Sequence, residues 1–181
     1  MKISKNLGVS GLVPIGMTAR TGAFVSVAAV LTALAGTALA TPPSGIVSAP
    51  VIVRTSFVDP ADVKFKTAGE HREVIHAPDL RETVIQQIII APGGHTGWHS
   101  HPGPAVAQIK TGALTIYSSE DSTCAPRTYS AGQAFIDPGQ GHVHLGRNLG
   151  SENVEVWVTY FDVPAGGSPR VDAANPGNCG F

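Results

Sequence analysis

Residues 93–104 carry two closely spaced histidines among turn-forming residues, and they read Gly93-Gly94-His95-Thr96-Gly97-Trp98-His99-Ser100-His101-Pro102-Gly103-Pro104. His99 and His101 stand two positions apart, so both imidazoles project from one face if the segment is extended. The Pro-Gly-Pro run after them cannot continue a regular ladder. A short strand that ends just after the two histidines is therefore predicted here.

A second couple, His142 and His144, repeats this spacing further along the chain, so four of the seven histidines stand in two such couples. One couple by itself is equally typical of a polar face near a strand end. Two couples among turn glycines favour a metal site, because neutral imidazole is the commonest metal ligand in proteins.

Short runs of β-branched and apolar residues, separated by turn residues, follow one another after residue 50. They predict strands at 51–58, 83–90, 99–101, 106–110, 113–118, 133–136, 142–147 and 154–161. Helical periodicity is weak and allows only a turn or two at 60–64 and 78–82. This cadence indicates an all-β fold, an antiparallel sandwich or barrel. Several strands are apolar on both faces and need cover on each side, which a barrel or a dimer provides.

Two motifs in this region resemble the conserved motifs of the cupin superfamily. The first consists of Gly93, His99-Ser100-His101 and Gly112, and the second of Gly132, Pro138, Gly141, His144 and Asn148. The motifs cover residues 93–148, and the flanking strands extend the match to most of the chain after residue 40. The resemblance implies a small antiparallel β-barrel, or jelly roll, with a metal site in its interior.

The chain departs from the family pattern in both motifs. The first motif normally includes a glutamate ligand, and this chain has Ala105 at that position. Gln108 stands three residues further on and should point to the opposite face of a regular strand. The second motif contains one extra residue before Gly141, which leaves either histidine of the second couple as a ligand.

The spacing from His144 to Asn148 selects His144, so the resemblance implies a three-histidine metal site of His99, His101 and His144. His142 is then a fourth ligand, a group that supports the ligands, or a proton carrier. Asp137 precedes a proline and is predicted to cap the turn.

The missing carboxylate affects the choice of metal. Three neutral imidazoles leave the charge of a divalent ion uncompensated, so a bound water is more acidic and anionic ligands bind better. Imidazole suits Fe, Zn, Cu and Ni, whereas manganese prefers sites that contain carboxylate. We expect one divalent ion of the former group. A three-histidine set with open positions resembles the iron thiol-dioxygenase branch of the superfamily.

Two glutamines stand in an otherwise apolar strand. Gln86 and Gln87 face opposite ways, so one of them should point into the barrel. That side chain either lines the ligand cavity or is a buried amide whose hydrogen bonds go to the backbone.

Residues 1–40 have the composition of an export signal. Lys2, Lys5 and Arg20 precede an uncharged apolar run that ends in Ala38-Leu39-Ala40, a small-x-small cleavage pattern. We expect a signal peptide over 1–40, a flexible linker over 41–50 and the β-barrel domain over 51–181, in a secreted or periplasmic protein. The alternative is a membrane anchor through residues 21–40.

The two cysteines, Cys124 and Cys179, both stand in turn-like segments. An even cysteine count in an exported chain suggests a disulfide, which would hold the C-terminal segment against a loop in the middle of the domain. Neither cysteine has positive charges beside it that would stabilise a catalytic thiolate.

Removal of the signal takes away three positive charges and leaves nine Lys and Arg against thirteen Asp and Glu. A mildly acidic chain without a basic cluster is a poor candidate for nucleic acid binding. No other apolar run reaches membrane-spanning length. The expected partner is a small-molecule ligand or substrate, and the two-sided apolar strands are compatible with a homodimer.

Two classes of function fit these residues. The first is a metal-dependent enzyme, of oxygenase type, that acts on a small molecule. The second is a non-catalytic cupin barrel that binds a small ligand or a metal. The fold does not distinguish them, because β-barrels of this kind host both.

The cleavage pattern predicts that the exported protein begins at Thr41, because Ala38 and Ala40 occupy the small positions. Intact-mass measurement of the protein recovered from the medium or periplasm tests this. A mass that retains residues 1–40, found in the membrane fraction, would instead identify an anchor.

Overall fold

The computed structural model describes residues 39–68 and 73–181. Residues 1–38 of the predicted signal peptide, and with them nearly all of the alternative anchor, lie outside the described residues. Within the described ranges no helix is long and apolar enough to cross a membrane.

The described chain is built from β-strands. They are β1 (Ser44–Ser48), β2 (Val51–Ser56), β3 (Val63–Lys66), β4 (Val74–Ala77), β5 (Glu82–His95), β6 (His99–Ser100), β7 (Ala105–Thr111), β8 (Ala113–Ser118), β9 (Arg127–Ser130), β10 (Ala134–Asp137), β11 (His144–Arg147), β12 (Val154–Val163) and β13 (Val171–Asp172).

Most strands belong to one antiparallel sheet, whose hydrogen-bonded path runs β10-β7-β12-β5-β11-β6-β13. β1 and β2 both pair with the long strand β5, and β8 joins β11 to β9. The sheet curves into a nearly closed barrel. β3 and β4 form a separate two-stranded ribbon. The predicted all-β antiparallel barrel is therefore confirmed.

The barrel core comes from side chains that alternate along β5, β7 and β12. On β12 the burial alternates along the strand, and its inward side carries Val154, Val156 and Val158. These residues pack against apolar residues of β5 and β7, including Val84 and Ile109. Period-two alternation of this kind places one face of each strand in the interior.

Three sequence-based expectations differ from the structure. Residues 41–50 were expected to form a linker, but Ser44–Ser48 forms β1 and pairs with β5. Gly45 makes this possible because a β-carbon there would stand 2.7 Å from the Cα of Gly94, so only a glycine permits the close approach of the two strands. The helical turn expected at 60–64 is absent and Val63–Lys66 is a strand. Residues 78–82 form no helix either, since Glu82 begins β5.

The C-terminal segment returns to the first histidine couple. β13 pairs with β6, and the Ala173 N–H donates to the Trp98 carbonyl (3.0 Å). Trp98 is fully buried and packs against Cys179 in a small second core. Cys179 lies at disulfide distance from Cys124, with the two Cα atoms 5.3 Å apart. The predicted cysteine pair therefore fixes this segment beside β6.

Replacement of both cysteines, as Cys124→Ser with Cys179→Ser, should lower the free energy of unfolding. A bridge across a sequence separation of 55 residues restricts the unfolded chain by about 4 kcal/mol on the chain-entropy model. Urea unfolding of the parent and the double variant measures the difference. Thiol titration of the denatured, unreduced parent should find no free thiol, and two free thiols would contradict the bridge.

Candidate metal centre

Three buried histidines meet inside the barrel. His144 is the first residue of β11 and stands directly opposite His99 of β6 in the antiparallel register. His101 comes directly after the last residue of β6. The ring centroids of the three are 4.4–5.1 Å apart. One candidate ligand atom from each ring lies within 4.8 Å of the others. The structure thus brings together the three histidines that the motifs selected.

Backbone carbonyls hold two of these rings. His99 Nδ1 donates to the carbonyl of Gly97 (2.9 Å), and His101 Nδ1 donates to the carbonyl of Pro169 (2.7 Å). Each bond leaves Nε2 as the free nitrogen with its lone pair. A metal-ligating histidine normally donates its other ring N–H to such an acceptor, so the two rings fit a metal site.

Gly97 is essential to the first of these bonds. Its φ of +69° lies in the left-handed region, and a β-carbon there would stand 2.2 Å from the carbonyl oxygen of Thr41. Any side chain at this position would displace the carbonyl that orients His99.

Asp137, at the end of β10, contacts the third histidine. Its Oδ2 lies 3.0 Å from His144 Nδ1, at hydrogen-bond distance but without the alignment of a regular hydrogen bond. The same oxygen accepts a hydrogen bond from His142 Nδ1 (2.9 Å), and Oδ1 accepts one from the Gly139 N–H (2.8 Å). The predicted turn cap is present, and the carboxylate also supports the histidines.

His142 stands in the turn before β11 rather than on the strand. Its Nδ1 is bound to Asp137, and its Nε2 lies 3.1 Å from the hydroxyl of Ser118. Both ring nitrogens are engaged, so His142 offers no free nitrogen to the three-histidine cluster. This geometry fits support of the ligands. Asp137, His142 and His144 also form a second group with candidate ligand atoms within 4.8 Å of one another, so the role of His142 stays a prediction.

Burial governs the protonation of the ligand rings. It lowers the pKa of His99 well below the ordinary value, and it lowers the pKa of His101 to about 4, with the neighbouring His144 charge acting in the same direction. Both imidazoles are therefore neutral at neutral pH, which is the form that binds a metal.

For Asp137 and His142, hydrogen bonding outweighs the effect of burial on the pKa. Burial by itself raises the pKa of Asp137, but hydrogen bonding to His142 and the contact with His144 outweigh it and hold that pKa well below its usual range. The hydrogen bond to Asp137 raises the pKa of His142. Asp137 is thus a buried negative charge beside the histidine cluster.

The histidine cluster faces a small cavity of about 50 Å³. Its wall is largely apolar and comes from β5, β7, β8, β10 and β12, with Ile88, Leu114, Phe135, Val156 and Val158 among the lining residues. Tyr160 also lines it and lies with its ring centroid 4.9 Å from that of His101. Burial raises the pKa of Tyr160, so the phenol keeps its proton.

Ala105 and Gln108, at and near the position where the first motif lacks its glutamate, lie on the faces of β7 that strand alternation predicts. Ala105, at the position of the missing glutamate, is buried and lines the cavity. Gln108 is exposed on the other face of β7 and does not reach the cavity.

Neither glutamine of β5 lines the cavity. Gln86 lies on the inward side of the strand, but its amide donates to the Ala49 carbonyl (2.8 Å) and its oxygen accepts from the Tyr160 hydroxyl (3.2 Å). Gln87 lies on the other side and donates to Glu155 (2.6 Å). Gln86 is therefore a satisfied amide behind Tyr160, and its link to the cavity is indirect.

Sequence reasoning missed three contributors to this site: Pro169, Tyr160 and the second role of Asp137. Pro169 acts through a backbone carbonyl, which no side-chain pattern reveals. Tyr160 shares its inward parity with Val156 and Val158 on β12, a signal present in the sequence. Asp137 was recognised only as a turn residue.

The metal-free protein should lose stability as the pH falls from about 6.5 to about 4. In the unfolded chain His99 and His101 take up protons below about pH 6.5, whereas in the folded chain His101 stays neutral until about pH 4. The unfolded state therefore binds more protons in this interval. The free energy of unfolding should fall by on the order of 2–3 kcal/mol for His101 alone.

Urea unfolding at pH 7 and at pH 4.5 measures this loss, and His101→Gln should show a smaller one. His142 acts in the opposite sense, since its raised pKa stabilises the fold on protonation, but it is one residue against two. An equal loss in the parent and the variant would show that burial of His101 is not the cause.

Comparison with known proteins gives structural matches alone: no family model matches the chain, and no curated protein does. Among the solved structures, an oxalate oxidase matches at 25% identity with a TM-score of 0.39 over 44% of this chain. This chain spans 41% of the oxalate oxidase chain.

Two further matches have lower identity. A cupin-2 domain protein from Shewanella frigidimarina is 18% identical over 42% of this chain and 68% of its own, with a TM-score of 0.35. A polyketide cyclase from Streptomyces resistomycificus is 15% identical over 51% and 61%, with a TM-score of 0.43. The nearly closed antiparallel barrel, with His99, His101 and His144 buried inside it, agrees with the fold that the motif resemblance implies.

Proposed function

We propose that this protein is an exported cupin that holds one divalent metal ion with His99, His101 and His144 and acts on a small molecule in an oxygenase-type reaction. One observation carries the proposal: three buried imidazoles, neutral at pH 7 in the case of His99 and His101, converge on one small cavity. Fe, Cu or Ni bound there would supply a redox centre with positions left for a small molecule and O2, whereas Zn would supply a Lewis acid alone.

The surrounding residues fix and enclose this centre. Gly97 and Pro169 orient two of the rings through their carbonyls, and Asp137 holds the third. The largely apolar wall limits the cavity to a few waters, which strengthens electrostatic interactions inside. Tyr160 closes one side of the cavity beside His101.

The cavity limits the size of the small molecule. A single water needs roughly 10–15 Å³ of such space, so the cavity of about 50 Å³ holds a few waters or a ligand of few non-hydrogen atoms. Pockets for drug-sized ligands are about 300–1,000 Å³. A larger substrate could insert only one end.

The second candidate function is a non-catalytic barrel that binds a metal or a small ligand. Its support comes from the polar groups of the described lining. The Tyr160 hydroxyl donates to Gln86, the Thr96 hydroxyl donates to the Gly97 carbonyl, and Asp137 is engaged by imidazoles. None of these three groups is free to act as a general acid or base without breaking an existing contact.

Export is supported by the cysteine pair, since bridged cysteines are typical of oxidising compartments. The small cavity beside the histidines supports a small-molecule partner as a proposal, and the homodimer stays a prediction. The metal is proposed from the Fe, Zn, Cu and Ni group, because the cluster offers nitrogen ligands alone.

Removal of His144 should nearly empty the site, and removal of His142 should not. Elemental analysis after loading should find about one divalent ion per chain in the parent and in His142→Ala, and almost none in His144→Ala. Loss of a supporting group typically costs about 10–100-fold in affinity, far less than loss of a ligand from a three-histidine set. His76→Ala is the matched control, because His76 is an exposed histidine of β4.

The opposite order, with His142→Ala empty and His144→Ala loaded, would contradict the register through the extra turn residue. A parent that takes up no metal would reject the metal-dependent function and leave a plain ligand-binding barrel. Where the parent takes up metal, addition of azide to the Co(II)-loaded protein tests a requirement of the enzyme: a changed visible spectrum shows the open positions that the reaction needs, and an unchanged one contradicts the oxygenase-type reaction and favours the non-catalytic barrel.

A further inference from the structure

The three cavity-lining residues Asp137, Ala105 and Tyr160 form a row across neighbouring strands. In the antiparallel register Ala105 of β7 stands directly opposite Asp137 of β10 on one side and Tyr160 of β12 on the other. All three line the cavity. The position that carries the glutamate ligand in the cupin motif is therefore adjacent to a carboxylate on the next strand.

We propose that Asp137 supplies, through His144, the negative charge that a glutamate at position 105 would supply directly. The proposal rests on the proposed metal-binding function of the same site. Residues directly opposite each other in an antiparallel pair have Cβ atoms about 4.5–5.5 Å apart, so the charge moves by only one strand spacing.

Contacts fix the Asp137 carboxylate on each side. Oδ1 accepts the Gly139 N–H at 2.8 Å, and Oδ2 lies 2.9 Å from His142 Nδ1 and 3.0 Å from His144 Nδ1. The side chain is 6% exposed. A buried charge of this kind is costly unless it is paired. His142 and His144 are the groups that pair with it here.

The turn after Asp137 packs closely against the turn that follows the first histidine couple. Gly139 has a φ of +62°, and a β-carbon on it would stand 1.9 Å from the carbonyl oxygen of Gly103. Gly103 belongs to the Pro-Gly-Pro run that follows the histidines of the first motif. The turns of the two motifs therefore touch, and this contact sets Asp137 beside the histidines.

The carboxylate acts on the metal indirectly in this arrangement. Asp137 Oδ2 lies 3.0 Å from His144 Nδ1 without the alignment of a regular hydrogen bond, so it acts on the ring by its charge. A carboxylate this close favours the proton on Nδ1 and raises the basicity of the nitrogen on the metal. The ligand set stays all-nitrogen, which favours Zn or Co over Mn. Asp137 is thus a positioning and charge-compensating residue, and it also contributes to metal preference.

The test is a set of four variants whose Co(II), Zn(II) and Mn(II) affinities are measured by titration. Asp137→Asn keeps an oxygen for the Gly139 N–H and removes the charge, and it should weaken Co(II) and Zn(II) binding by about 10–100-fold. Asp121→Asn is the matched control, since Asp121 also accepts an N–H two residues on (2.8 Å) but lies in an exposed loop. Its affinity should equal that of the parent.

The decisive variant relocates the charge. Ala105→Glu in the Asp137→Asn background should restore Co(II) and Zn(II) affinity and should gain Mn(II) affinity, because the carboxylate becomes a direct oxygen ligand. Ala105→Glu alone should gain Mn(II) affinity as well. Thermal unfolding of each metal-free variant shows whether the fold is intact.

Unchanged affinity in Asp137→Asn would overturn the proposal. A loss of affinity that Ala105→Glu fails to reverse in a folded protein would also overturn it, because a carboxylate at position 105 would then not replace the charge of Asp137. Failure of the proposed function looks different: the parent itself would bind none of the three ions.

Discussion

Burial of neutral imidazoles in an apolar barrel is the constraint on which the rest of this structure depends. Each ring that enters the interior brings two nitrogens, and a buried polar group without a partner is costly. His99 and His101 meet this requirement with backbone carbonyls on their Nδ1 atoms. The turn glycine, the C-terminal crossing and the end of β10 are all arranged around these rings.

The fold and the histidine cluster could be predicted from local signals. Strand alternation depends on neighbours in sequence, so the strand over 113–118 was accessible from it, and the two-residue spacing pointed to two histidine couples. The grouping of His99, His101 and His144 came from the resemblance to the cupin motifs, and the structure brings these three side chains together. β1 was not, because its Pro/Ser/Gly-rich sequence has low strand propensity and forms a strand only by pairing with β5. Tertiary pairing overrode local composition there.

The supporting groups of the site were inaccessible for a different reason. The acceptor for His101 stands 68 residues away and is a proline carbonyl, which has no residue-type signature. The role of Asp137 depends on which strand lies beside β7, and strand order is not encoded in any local pattern. Sequence therefore identified the rings and their spacing, whereas the partners of the rings required the topology.

The crossing of the C-terminal segment over β6 has a consequence for the timing of assembly. During synthesis or export, the N-terminal end of the chain emerges first. His99 and His101 therefore emerge long before Pro169, whose carbonyl orients the His101 ring. β13, which pairs with β6, emerges later than every other described strand. The pocket is therefore finished last, and a metal that requires the finished pocket is acquired by the folded protein rather than by the growing chain.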